Sequence, residues 1–224
     1  MYEYFYEPDS GNRGGSLTIG DWRGSDQYNP LLAGSVANRP LFAATMRTPF
    51  LVTADGHWKP DLAIRMPSLA DGSVRLGPVG TGFEVDLELR PDLRWSDGQP
   101  ATAHDLEFTW EFVRDAPQSG AATSGWKAID RVSVLDDTHA TVHFRELSAD
   151  YLAVLGSYFF PEHYFATLPK PDAVTMAYPF SADLSTAVTI GPFKYSTVSG
   201  RDIGLVRDEK WRGPAQACPP SACL

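Results

Sequence analysis

The chain has 224 residues, 43% hydrophobic and 12% aromatic, enough for one large or two small domains with a sizeable core. Its net charge of −9 and pI near 4.9 argue against a phosphate-backbone partner, which calls for a basic stripe. No apolar run reaches the roughly eighteen residues that read as a membrane-spanning helix, and YEYFYEPDS after Met1 is acidic and aromatic, unlike a secretory leader.

Residues 1–13 read as a mobile leader. Gly14-Gly15 releases into Ser16–Gly20, expected as a short strand. Asp21 to Leu32 reads as a loop carrying Asp26, Tyr28, Asn29 and Pro30. Val36 to Met46 predicts a helix interrupted near Pro40, with Leu41 and Thr45, and Phe42 and Met46, at fourfold spacing. Pro49 to Val52 is extended, Asp55-Gly56 turns, and Trp58-Lys59-Pro60-Asp61-Leu62-Ala63 follows. Asp71-Gly72 makes a second turn before Ser73 to Leu76.

Phe83, Val85, Leu87 and Leu89 alternate with Glu84, Asp86, Glu88 and Arg90, the pattern of a half-buried strand. Pro91-Asp92 turns the chain, Arg94-Trp95 is a short extended piece, and Asp97-Gly98 is a tight-turn pair. Thr102 is expected as a helix N-cap, with Asp105 completing a near capping box. Leu106, Trp110 and Val113 then form one apolar stripe of a helix from about Ala103 to Asp115.

Ala116 to Gly125 is small and polar, a predicted loop, ended by Trp126. Ile129 to Val134 and Thr138 to Phe144 read as a hairpin across Asp136-Asp137. Ala149 to Leu155 is a short helix, Tyr158 to His163 an aromatic segment, and Pro169 to Pro179 a linker. A second hairpin runs from Pro192 through the Gly200 turn to Ile203–Val206. Cys218 and Cys223 close the chain in CPPSAC, where an oxidising compartment would permit a local disulfide. Two thiols without a nearby His do not fill a zinc site.

Few of these residues point to chemistry. His57, His104, His139, His143 and His163 form no H-E-x-x-H pattern and no Cys-His cluster. His139 and His143 read as positions on a half-exposed strand, His104 as a helix N-terminal residue, and His163 as structural. There is no G-x-S-x-G elbow and no G-x-x-x-x-G-K loop, so a hydrolase or nucleotide site is disfavoured.

The run LRPDLRWSDGQPATAHDLEFTWE resembles the signature region of the family 5 extracytoplasmic solute-binding proteins, the oligopeptide, dipeptide and nickel receptors of ABC importers. Other landmarks match in order: Gly14-Gly15 before the first strand, Pro60-x-Leu62-Ala63, the 129–144 hairpin, Pro161-x-His163, and Arg207 to Gly213. Two departures stand out. Thr189-Ile190 replaces Gly-Thr before Gly191-Pro192-Phe193, and Asp208 replaces a common Asn.

The resemblance implies a mixed α/β, periplasmic-binding-protein-like fold of class II, three-subdomain type. It implies lobe I with an inserted subdomain and the second lobe absent, since family members are roughly twice this long. The expected division is 14–50 and 180–213 in the inner sheet of lobe I, 51–179 as the insert, and 214–224 as a tail toward the second lobe. The implied function is the substrate-binding component of an ABC importer, capturing a peptide or similar small solute and delivering it to permease transmembrane subunits. No cofactor, metal, nucleic acid or catalytic residue is implied. Location would be periplasmic or extracytoplasmic, with a removed or lost leader and membrane contact only through a lipid anchor or the permease. Asp26, Tyr28 and Asn29 in the first loop, Trp126, and the aromatic Tyr158 are the expected ligand contacts. A carbohydrate-binding or adhesion module, and less so a hydrolase, are the alternatives.

Overall fold

The computed structural model describes residues 14–20, 39–53, 55–78, 81–114, 121–167, 187–199 and 202–211. The alternating run folds as β4 (Phe83–Glu88), with buried and half-buried positions in strict succession. It lies inside a four-stranded antiparallel sheet in the order β3 (Val74–Leu76), β4, β6 (His139–Phe144), β5 (Ile129–Val134). Val85 opposes Val142 and Phe83 opposes Phe144, whose rings stack at 4.6 Å. A bulge between Ile129 and Arg131 leaves Asp130 as the extra residue of β5.

α2 (Ala103–Arg114) lays the predicted stripe on this sheet: Leu106, Trp110 and Val113 are all buried. Behind it lie α3 (Tyr151–Leu155) and α4 (Glu162–Phe165); the segment between them adds Phe159 and Phe160 to the core, and α4 adds Phe165. Phe165 stands edge-on to Phe112 at 5.7 Å and to Phe160 at 5.2 Å. Each fully buried phenylalanine of this cluster contributes about 1.5–3 kcal/mol by leaving water.

α1 (Arg39–Thr45) and the small hairpin of β1 (Phe50–Val52) and β2 (Trp58–Pro60) precede the sheet. β7 (Phe193–Ser199) and β8 (Asp202–Arg207) form a separate hairpin after it. The early and late parts of the chain meet where Met46 bridges Ile190 in parallel and the Arg47 N–H donates to the Ile190 carbonyl at 2.7 Å. Gly191 is required there, because a Cβ on it would lie 2.6 Å from the Thr45 carbonyl carbon.

Four expectations need correction. Residues 16–20 form no strand and are exposed, with Leu17 84% and Ile19 75% exposed. No described strand lies beside them to accept the pairing a strand needs. Within the described residues α1 runs unbroken through Pro40 from Arg39 to Thr45, and 36–38 lie outside them. Ala121–Ala128, expected within or beside a loop, is a 3₁₀ helix. Glu162–Phe165 is a helical turn that the aromatic run concealed. The 1–13 leader, the 21–32 loop, the 169–179 linker, Cys218 and Cys223 lie outside the described residues.

Candidate functional site

The signature run builds a junction. Trp95, fully buried, donates its indole N–H to Asp105 Oδ2 at 3.1 Å. The Thr102 N–H donates to the same oxygen at 2.8 Å, one arm of the expected capping box. The other carboxylate oxygen takes the Glu162 N–H at 2.9 Å, at the start of α4. One turn on, the Thr109 hydroxyl donates to the Asp105 carbonyl and accepts the Phe160 N–H. Asp105 therefore pins the turn, α2 and α4 together. Burial pushes its carboxyl up from the ordinary value, outweighing the three N–H donors that pull it down.

The Asp97-Gly98 turn reaches the end of the described chain. Gly98 supplies the left-handed conformation (φ 99°) that the turn demands. His163 Nε2 lies 2.7 Å from Asp97 Oδ2, and Lys210 Nζ donates to the Asp97 carbonyl at 2.7 Å. Next to it, Ser96 and Thr189 exchange two bonds: Ser96 N–H to the Thr189 carbonyl at 2.8 Å and Thr189 N–H to Ser96 Oγ at 3.0 Å. Thr189 fits where the family pattern has glycine, but its own hydroxyl is buried with no hydrogen-bond partner among the described residues.

The Pro60-x-Leu62-Ala63 landmark ties α1 to the sheet. Arg47 grips buried Asp61 through Nε and Nη2, both at 2.6 Å. Leu62 and Ala63 are fully buried, and Ala63 bridges Leu89.

The predicted contacts divide. Asp26, Tyr28 and Asn29 lie outside the described residues. Trp126 is 5% exposed within the core, on the 3₁₀ helix that packs against α3. Tyr158 is half-buried, its ring 5.8 Å from Phe42.

A cleft of about 580 Å³ opens elsewhere, on the outward face of the four-stranded sheet. Arg75, Glu84, Arg131, His143 and Arg145 line it, over the edges of Phe83 and Phe144. Arg75 bonds Glu84 Oε2 through Nε and Nη2 at 3.3 and 3.2 Å and also grips Asp86. That hydrogen-bonded guanidinium holds the Asp86 carboxyl below its ordinary range. His143 Nδ1 is 3.0 Å from Glu84 Oε1, and its Nε2 is 3.2 Å from Ser133 Oγ. Sequence reasoning missed this row because its partners come from different strands; only the register brings Glu84 opposite His143. No group of three or more His, Cys, Asp or Glu among the described residues could hold a metal ion, and no described helix is long and apolar enough to cross a membrane.

Known structures share this architecture. The oligopeptide-binding protein of Thermus thermophilus, complexed with a pentapeptide, matches with TM-score 0.67 at 22% identity, over 81% of this chain and 35% of that one. The oligopeptide-binding protein of Bacillus subtilis, in complex with a nonapeptide, matches with TM-score 0.68 at 16% identity, over 84% and 35%. The fold is thus that of the periplasmic binding proteins, present in part. A Brucella ovis protein named "Putative ABC transporter peptide-binding protein" is 26% identical over 122 residues, 54% of this chain and 22% of that protein. The model for bacterial extracellular solute-binding proteins, family 5, middle region, matches residues 79–218, and the chain belongs to that family. It spans about a third of the solved relatives and less of the curated one.

Proposed function

We propose that this chain is part of the substrate-binding component of an ABC importer. It captures a peptide or similar small solute outside the cytoplasm and hands it to the transmembrane permease subunits unaltered. The observation that carries this reading is the family match over 79–218, whose signature run forms the Asp105 junction at the centre of the fold.

The mechanism follows from what a junction of this kind holds rigid. Residues 51–179 form an inserted subdomain, and 14–50 with 180–213 form the inner part of lobe I. The Met46–Ile190 bridge and the Arg47–Asp61 pair support that division, since they lock the first part to the return segment and to the insert. The chain supplies one wall of a solute site. The proposed solute contacts are Asp26, Tyr28, Asn29 and Tyr158, while Trp126, buried in the core, is assigned a supporting place behind that wall. A second lobe closes over it, and binding energy gathered from both walls favours the closed state. The location is extracytoplasmic, with a lipid anchor in the full-length protein.

An uptake assay tests this. Cells lacking the gene are expected to import a labelled oligopeptide mixture more slowly, with recovery on complementation. Undiminished peptide uptake would contradict the peptide assignment.

A further inference from the structure

We propose that the cleft on the outward face of the four-stranded sheet is itself a binding site, for a small molecule that carries one carboxylate on an apolar body. The site begins with the bulge in β5. On an unbroken strand, Asp130 and Arg131 would point to opposite faces. The bulge between Ile129 and Arg131 breaks that alternation, and both side chains line the cleft. Arg145, the residue after β6, lines it too, as does Arg75 of β3. Guanidiniums from three separate segments thus meet at one concave place.

Charge inside the cleft does not balance. Three guanidiniums line it against two carboxylates, Glu84 and Asp130. Arg75 is spent, because it bonds Glu84 through Nε and Nη2 and grips Asp86 as well. His143 is spent too, its Nδ1 on Glu84 and its Nε2 on Ser133. Asp130 is left to answer two arginines. Arg145 Nη1 stands 2.9 Å from its Oδ1, and Arg131 Nη1 stands 3.7 Å from its Oδ2. Among the described residues neither guanidinium has another partner, so most of their N–H donors are open to a ligand. Each side chain is more than half exposed, and a ligand reaches both from solvent.

That remainder selects the ligand. One positive charge is left over, which matches a carboxylate better than a doubly charged phosphate. A guanidinium presents parallel N–H groups, and a carboxylate accepts them in pairs. Leu76, Pro78, Phe83 and Phe144 give the cleft apolar surface beside these donors, and its volume of about 580 Å³ accommodates a ring-sized body. The ligand is held and released unaltered, as suits a binding protein.

A nitrogen-15 NMR titration of the 224-residue chain with sodium benzoate tests this. The Arg131 side-chain Nε–Hε signal, assigned by its loss in Arg131→Gln, is expected to shift saturably with a Kd of about 1 mM. Benzyl alcohol, which keeps the ring and lacks the charge, is expected to leave that signal in place. Arg145→Gln is expected to weaken benzoate binding about tenfold. Asp130→Asn is expected to tighten it about threefold, because the one competing carboxylate is gone. No shift, or a shift that does not saturate, overturns the proposal. So does inorganic phosphate binding as tightly as benzoate, benzyl alcohol moving the signal as far, or weaker benzoate binding in Asp130→Asn. Should Arg145→Gln fail to fold, the comparison of benzoate, phosphate and benzyl alcohol on the unaltered chain still decides.

Discussion

The polar contacts of this molecule fall into two regions with opposite environments. At the junction, Asp105 and Asp61 are 4% and 2% exposed, and each has its carboxylate oxygens matched to donors. On the outward sheet face, Arg75, Glu84 and Asp86 form a denser network, yet each is more than a third exposed. Removing a partner at the junction strands a group that water cannot reach. Removing one on the outward face leaves a group that water rescues. The number of ion pairs in a region therefore says little about the stability it holds.

The largest effect is expected from Arg47→Ala. It leaves Asp61 buried without its bidentate partner and should cost about 3–5 kcal/mol in denaturant unfolding. A loss under about 1 kcal/mol would erase the distinction between the two regions. Asp105→Asn comes next, at about 1–3 kcal/mol, because one of its N–H partners then faces an amide NH₂. The pH dependence sharpens this. Burial raises the folded-state carboxyl of Asp105 above its ordinary 3.8. A raised value means that its contribution is full below 3.8 and is lost as pH rises through the folded value. The stability gap between the unaltered chain and Asp105→Asn should therefore narrow from pH 3.5 or so toward neutrality. A gap that widens would mean that the N–H donors outweigh burial.

Thr189→Val is expected to work in the opposite direction. It removes the buried hydroxyl that has no partner among the described residues and should stabilise by about 1 kcal/mol, read as a higher unfolding midpoint. The smallest effect is expected from Arg75→Ala, less than about 1 kcal/mol and weaker still in high salt, despite its contacts to two carboxylates. A larger loss there would place the outward face among the stabilising parts of the fold.

Local chemistry accounts for what the sequence reveals. The period-two run became β4, and the 106–110–113 stripe became the buried face of α2, because each is decided by near neighbours. The Asp97-Gly98 turn and one arm of the capping box were legible for the same reason. Segment 16–20 has the residues of a strand, but a strand exists only with a partner, and none of the described strands offers one. Contacts set by long-range register were hidden: Arg47 with Asp61 fourteen residues on, Lys210 with the Asp97 carbonyl, and Glu84 with His143. Trp126 shows the ambiguity of aromatic residues, whose place in sequence suits a ligand wall and whose ring lies in the core. The remaining first-loop contacts, Asp26, Tyr28 and Asn29, rest on resemblance alone.

The central claim is that this chain supplies one wall of a solute clamp, with affinity that emerges only when both walls close. Isothermal titration of the 224-residue chain with an oligopeptide pool tests it directly. The account predicts no saturable heat at micromolar peptide. Saturable micromolar binding by this chain alone would contradict it.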